Sequence, residues 1–137
     1  MPSLIVHGGA GRFAPERHAD ALAGIRRACE AGWAILSQGG SALDAVERSV
    51  TILEDDPVFD AGTGSYPNTA GFVEMDAILV DGATLNFGAV AGIRHVKNPI
   101  QVARRVMTQT AHCLLVGEGA TNFARAQGFP AVTDAEL

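Results

Sequence analysis

Two strand-like runs separated by an Asp-Gly pair place the strongest constraint on how this chain can fold. Residues 72–80 and 85–93 are rich in apolar side chains, and Asp81-Gly82 follows the first of them directly. An Asp-Gly pair between two such runs is a strong signal for a β-hairpin. Small residues such as Gly88 and Ala89 indicate that another element packs closely over these strands. The sequence therefore predicts an antiparallel pair of strands under a close-packed layer.

Two helices are predicted before this hairpin. The second should begin after Ser41, a favoured N-cap residue, with Asp44 placed like the acidic member of a capping box, and should end near Asp56. The first should span about 17–38, where apolar residues recur at three- and four-residue spacing: Leu22, Ile25, Cys29, Trp33 and Leu36.

Further elements are predicted at the start of the chain and after the hairpin. Residues 4–6 and 113–116 are short apolar runs typical of buried strands. Asn98-Pro99 is typical of an N-cap followed by a proline in the first helical position, and a fourth helix is expected over about 120–127.

The order of these elements favours a layered α+β domain with an antiparallel sheet covered by helices, and disfavours a doubly wound parallel sheet. With 137 residues, of which 47% are hydrophobic, the chain is long enough for one domain, which we assign to residues 1–137. A small sheet in so short a chain leaves an unpaired edge and an uncovered face. We therefore expect a second polypeptide or segment to complete it.

Charge and composition exclude several classes of partner. The formal net charge of -5 provides no positive stripe for a phosphate backbone, which disfavours nucleic acid as a partner. The run at 4–6 is too short for a signal peptide or a membrane span, so the expected location is the cytoplasm. Cys29 and Cys113 are far apart and are interpreted as small buried hydrophobes in a reducing compartment.

The glycine cluster at 8–11 is the first candidate for chemistry. It follows a predicted strand, but it lacks the Gly-Lys-Ser/Thr ending and the Gly-x-Gly-x-x-Gly spacing of nucleotide-binding loops, so a tight turn is favoured. His7, just before it, is more easily explained as a hydrogen-bonded structural residue than as a catalyst. The histidines and cysteines are scattered, which disfavours a transition-metal site.

Acidic residues form two further candidate sites. Glu74 and Asp76 should share one face of a strand, where they are either an acid–base pair or an ordinary polar face. The run at 54–56 should lie at the solvated C-terminal end of a helix, where carboxylates oppose the helix dipole and indicate a nearby cation. No Ser or Thr has an evident base beside it. The residues alone therefore define no complete catalytic set.

Seven short segments nevertheless occur in an order that resembles one family over essentially the whole chain. The sequence resembles the plant-type asparaginases and isoaspartyl peptidases, which are N-terminal-nucleophile (Ntn) hydrolases. The segments that carry the resemblance are residues 5–11, 40–46, 53–59, 73–77, 88–92, 97–100 and 115–120.

The resemblance implies a four-layer αββα Ntn-hydrolase sandwich, of which this chain is the N-terminal half. It implies a precursor that cleaves itself into an α subunit, similar to this chain, and a β subunit that begins with the catalytic Thr. The α-amino group of that Thr serves as the base. The implied substrates are L-asparagine and β-aspartyl (isoaspartyl) dipeptides, and the implied assembly is an (αβ)2 heterotetramer.

The resemblance also implies roles for particular residues. Gly8 and Gly9 belong to a glycine-rich loop near the active site. Asp60 stands where the family usually has an Asn that orients the nucleophile; it keeps an acceptor but removes the NH2 donor. No organic cofactor is implied. A structural sodium ion is implied, bound by the backbone carbonyls of Leu53, Glu54, Asp56, Phe59, Ala61 and Thr63.

Two alternative functions are also compatible with the sequence. A glycosylasparaginase-like hydrolase belongs to the same superfamily, although residues 56–59 and 97–100 look more like the peptidase branch. A non-enzymatic scaffold or binding domain is the alternative from another class, in which Asp60 marks a weakened or lost activity.

Overall fold

The structure is a computed structural model that describes residues 1–137. Single turns of 3-10 helix at Pro15–Arg17 and Asp134–Glu136 flank the main elements. In chain order these are α1 (His18–Ser37), α2 (Ala42–Glu54), β1 (Met75–Val80), β2 (Phe87–Ile93), α3 (Pro99–Gln109), β3 (Leu114–Val116) and α4 (Gly117–Ala126). The chain is therefore a mixed α/β unit, as the α+β prediction required.

The predicted helix positions are confirmed. The Ser41 hydroxyl accepts a hydrogen bond from the Asp44 N–H at 3.1 Å and donates one to the Asp44 carboxylate at 2.7 Å, which fixes the start of α2. Asn98 occupies the N-cap position of α3 with Pro99 next to it, but its side chain makes no capping bond. It donates instead to the Asp55 carboxylate, at 3.2 Å.

The buried face of α1 differs from the predicted apolar stripe. Leu22 is 67% exposed and Trp33 is 46% exposed. Small residues form the buried face because α2 approaches too closely for larger ones: a Cβ added at Gly32 would lie 2.2 Å from the Ser49 hydroxyl. The buried residues of α1 are Ala21, Gly24, Ala28 and Gly32.

The three strands form one sheet in the order β1-β2-β3. β1 and β2 pair antiparallel, as predicted, with Val80 opposite Phe87. The prediction of a purely antiparallel sheet is wrong, because β3 runs parallel to β2. The chain crosses over through α3 between these two strands, and a helical crossover returns the chain in the same direction.

Of the two predicted buried strands, the one at 113–116 is observed as β3 but is not buried, and the one at 4–6 is wrong. In β3, Leu114 and Val116 are 49% and 58% exposed, because they point to the sheet face that no helix covers. Residues 4–6 form no strand, since no segment of this chain pairs with them. Exposure still alternates along them as in a strand: Leu4 is half-buried near Gly32 of α1, whereas Ile5 is 94% exposed.

One face of the sheet carries the main core, which it forms with α3 and α4. Val90, Ile93, Val102 and Val106 are fully buried there. The opposite face is not covered by any helix. The strand register places its exposed apolar side chains side by side: Ile78, Val80, Phe87, Leu114 and Val116.

No helix in the structure combines the length and the apolar character needed to cross a membrane.

The close approach of α3 to β2 makes Gly88 sensitive to substitution. A Cβ added at Gly88 would lie 2.2 Å from the Ala103 carbonyl oxygen and 2.4 Å from the Met107 nitrogen, both backbone atoms. Gly88→Ala should therefore lower the free energy of unfolding by about 1–3 kcal/mol through overpacking.

Gly82→Ala is the matched control, because nothing lies within 4 Å of its added Cβ. Chemical denaturation of the intact protein and the two variants tests this prediction. Equal losses of stability in both variants would contradict it.

Candidate functional site

The residues predicted to lie near the catalytic centre meet in one cleft of about 500 Å³ between the N-terminal segment and the loop that follows α2. Gly8, Gly9 and Asp60 all line it, together with His7 and Tyr66. The glycine cluster at 8–11 and Asp60 are far apart in sequence, so the fold brings together two segments that the resemblance associates with catalysis. Their catalytic roles stay predictions.

The buried ring of Phe59 holds the two sides of this cleft together. A Cβ added at Gly8 would lie 2.8 Å from one edge of the ring, and a Cβ added at Gly24 would lie 2.6 Å from another. Phe13 meets the ring edge-on, with centroids 6.2 Å apart. Glycine is therefore required at both contacts, because any side chain there would displace the ring that precedes Asp60.

Asp60 is exposed and lines the cleft. One of its carboxylate oxygens accepts a hydrogen bond from the Tyr66 backbone N–H at 3.0 Å. Between these two residues, Gly64 adopts a φ of +91°, and a Cβ there would meet the Pro57 carbonyl at 2.6 Å. The loop therefore closes on itself and places the Asp60 carboxyl group at a defined point of the cleft wall.

Two arginines of α1 and the preceding turn bind the start of this loop. The Arg27 guanidinium pairs with the buried Asp56 carboxylate at 2.5 Å, and the other Asp56 oxygen accepts the Val58 N–H at 3.1 Å. Arg17 donates to the carbonyls of Pro57 and Val58 at 3.3 and 3.0 Å. Sequence patterns did not identify these arginines, because each lies at least 29 residues from its partner.

The prediction that residues 54–56 form a solvated acidic helix end is wrong for two of the three. Glu54 and Asp56 are buried, and only Asp55 is exposed; it pairs with the Lys97 ammonium at 3.0 Å. Lys97 and Arg27 are side-chain cations beside this acidic end, and they offset its unfavourable position at the helix C-terminus.

Glu54 connects α2 to α3. Its Oε1 accepts the Ile100 backbone N–H at 2.9 Å, which supplies the cap that Asn98 does not. Burial disfavours the charged form and raises the pKa of Glu54 to about 8. Its Oε2 is buried without a hydrogen-bond partner. A capping carboxyl group 46 residues away has no local sequence signal, so this role was missed.

The six carbonyls predicted to bind sodium lie in the segment 53–63, and the structure divides them into two groups. Leu53, Glu54 and Asp56 accept backbone N–H groups, whereas Phe59, Ala61 and Thr63 accept none. The Thr63 hydroxyl oxygen is buried and has no partner. Carbonyls that accept no N–H and an unpartnered buried hydroxyl are oxygen donors of the kind that a hard cation such as sodium prefers.

The remaining sequence candidates do not form a second site. The His7 Nδ1 accepts the Gly9 N–H at 3.2 Å, a local bond that stabilises the glycine turn. Glu74 precedes β1 and accepts the Asn68 amide, whereas Asp76 accepts the Gly92 N–H at 2.7 Å, so the two carboxylates bind separate partners. No three His, Cys, Asp or Glu side chains cluster as metal ligands.

Comparison with known proteins identifies the family to which this chain belongs. The family described as asparaginase matches residues 1–137, so the chain belongs to the asparaginase family and the predicted resemblance is confirmed. It is 53% identical over 136 residues to an isoaspartyl peptidase/L-asparaginase of Xenopus laevis, covering 99% of this chain and 44% of that protein.

Two further relatives support the same family assignment. Identity is 58% over 131 residues to a plant-type L-asparaginase of Pyrococcus abyssi, covering 95% of this chain and 43% of that protein. It is 47% over 137 residues to an isoaspartyl peptidase/L-asparaginase of Danio rerio, covering 100% and 44%. The chain therefore spans less than half the length of these relatives.

The role of Glu54 in joining two helices is testable. Glu54→Ala removes the acceptor of the Ile100 N–H and leaves that buried donor unsatisfied, which should lower the free energy of unfolding by about 1–3 kcal/mol. Glu54→Gln keeps an acceptor oxygen of the same shape and should lower it clearly less. Denaturant titration of the intact protein measures both, and a Gln variant as unstable as the Ala variant would contradict the capping role.

Proposed function

We propose that this chain is the α subunit of an amidohydrolase that cleaves L-asparagine, β-aspartyl (isoaspartyl) dipeptides or both. The observation that carries the proposal is the meeting of the glycine cluster and Asp60 in one cleft, in a chain whose relatives are named isoaspartyl peptidase/L-asparaginase and plant-type L-asparaginase. Residues 1–137 are one domain in this proposal, completed by a separate β subunit.

The nucleophile is proposed to be the Thr that begins the β subunit. Its hydroxyl attacks the side-chain amide carbonyl of the substrate and passes its proton to its own α-amino group. The amide C–N bond then breaks, ammonia or an α-amino acid leaves with that proton, and water hydrolyses the ester to release aspartate. The contribution of this chain is positional: the Asp60 carboxyl group and the glycine cluster form one wall of the reacting cleft.

The uncovered sheet face supports the proposed four-layer αββα sandwich. Five exposed apolar side chains on one sheet face need a second sheet to exclude water from them. The alternating exposure of residues 4–7 fits a strand whose partner belongs to the companion subunit. The same proposal includes self-cleavage of a common precursor and an (αβ)2 assembly. A cytoplasmic location also belongs to it, supported by two free cysteines, although the prediction that both are buried is wrong: Cys113 is exposed and Cys29 half-buried.

A structural sodium ion is part of the proposal. The carbonyls of Phe59, Ala61 and Thr63 accept no backbone N–H, and the buried Thr63 hydroxyl lacks a partner. The carbonyls of Leu53, Glu54 and Asp56 complete the proposed ligand set, since an oxygen that accepts one N–H keeps a second lone pair. The ion supplies no chemistry to the reaction; it holds the loop that carries Asp60.

One observation favours a second candidate function. Asp60 replaces the Asn that the family uses to orient its nucleophile, which removes an NH2 donor from the cleft. A scaffold or binding domain with weakened catalysis is therefore the alternative.

Activity of the intact, matured protein separates the two candidates. Incubation with L-asparagine and with a β-aspartyl dipeptide should release ammonia and the free amino acid, respectively, together with aspartate. Intact-mass analysis should show a second chain that begins with Thr. A matured protein that releases neither product would favour the scaffold.

The contribution of Asp60 should be visible in kcat. Asp60→Ala removes a group from the wall of the cleft and should lower kcat by about ten- to a hundredfold. Asp60→Asn keeps the acceptor for the Tyr66 N–H, restores the NH2 donor and should raise kcat above that of the unsubstituted protein. Steady-state kinetics would contradict the proposal if the Ala variant matched the unsubstituted protein.

The sodium proposal predicts that the melting temperature depends on sodium. Replacing sodium with choline at constant ionic strength should lower the melting temperature, because an ion at about a hundred times its Kd adds about 2.7 kcal/mol of stability. Thermal unfolding across a sodium titration measures the effect. A melting temperature that does not change with sodium concentration would contradict the sodium proposal.

A further inference from the structure

The half-buried side chain of Arg17 extends from the turn before α1 to the loop that carries Asp60. Its Nη2 donates to the Val58 carbonyl at 3.0 Å and to the Pro57 carbonyl at 3.3 Å, across 41 and 40 residues of sequence. We propose that Arg17 is a positioning residue, which fixes the backbone before Asp60 and so sets where the Asp60 carboxyl group lies in the cleft. This inference rests on the proposed function.

Arg17 binds two carbonyls of the loop that the proposed sodium site does not use. The six carbonyls assigned to sodium exclude those of Pro57 and Val58, and these are the two that the guanidinium takes. A run of carbonyls in one loop needs donors or cations on each side to which it points. Arg17 is therefore a positive charge that lines the cleft and satisfies two loop carbonyls outside the proposed ligand set.

Both the N–H and the carbonyl of Val58 are hydrogen-bonded to side chains. Its N–H donates to Asp56, which Arg27 holds in an ion pair, and its carbonyl accepts from Arg17. Only Phe59, whose ring is clamped between two glycines, separates Val58 from Asp60. Loss of the Arg17 bonds therefore loosens the backbone directly before Asp60, while the ring and the Arg27 pair keep the loop folded.

A competing role for Arg17 is direct binding of a substrate carboxylate, since it also lines the cleft. The two roles affect different kinetic constants. A residue that positions Asp60 changes kcat with little change in KM, whereas a residue that binds substrate equally well in the ground and transition states changes KM.

The test uses the intact, matured protein with Arg17→Gln, Arg17→Lys and, as the matched control on the exposed side of α1, Arg26→Gln. Arg17→Gln should lower kcat by about tenfold or more, with KM changed by less than about twofold. Arg17→Lys keeps one charged donor and should recover part of kcat. If the Gln variant does not fold, the kcat and KM of Arg17→Lys still test the proposal.

Amide hydrogen exchange supplies a readout that needs no turnover. Exchange in the peptide that covers residues 57–66, which includes the Tyr66 N–H bound to Asp60, should be about tenfold faster in Arg17→Gln and unchanged in Arg26→Gln. In the double variant with Asp60→Ala, Arg17→Gln should lower kcat little further, because both changes act through the same group.

The outcomes separate the inference from the proposed function. If the unsubstituted protein releases no product, the proposed function fails, and unchanged exchange at 57–66 then overturns the positioning role independently. If the unsubstituted protein is active, a raised KM with normal kcat in Arg17→Gln overturns the inference in favour of substrate binding. Additive effects of the Arg17 and Asp60 substitutions on kcat would overturn it as well.

Discussion

Glu54 is the residue on which the arrangement of the site most depends. Its carbonyl accepts the Thr63 N–H at 2.7 Å and closes the loop behind Asp60, while its carboxyl group accepts the first free N–H of α3. One buried residue at the end of α2 thus joins the helix pair, the cleft loop and the helix that covers the sheet. Burial raises the pKa of Glu54 to about 8 because that position excludes water. The cleft wall is consequently coupled to the main core.

The parts of the fold that sequence reasoning predicted depend on neighbours in the chain. The four helices and the hairpin follow from periodicity, caps and the Asp81-Gly82 pair, all of which act within about one turn or one loop. The parallel pairing of β3 and the small-residue face of α1 depend on which distant element packs against them. Residues 4–6 show the same limit, because a strand without a partner is only an extended segment.

The candidate site also combines residues that the sequence predicted with residues that it did not. Segment order pointed to the glycine cluster and to Asp60, and the fold brings both into one cleft. Arg17, Arg27 and the side chain of Glu54 were missed because their partners lie 29 to 46 residues away, and no spacing rule connects them. The nearest sequence signal for such a distant partner is an acidic residue at a helix end. If that residue is buried, it requires a hydrogen-bond donor from elsewhere in the fold.

The uncovered sheet face affects how a protein of this kind can be synthesised without aggregating. Under the proposed function, the N-terminal half leaves the ribosome first, with apolar side chains that could join those of other nascent copies. A companion on the same polypeptide meets that face at an effective concentration of about millimolar, far above the level of separately synthesised subunits. In that proposal, synthesis as one continuous polypeptide, cleaved only after both halves have folded, would protect the biosynthetic intermediate from aggregation.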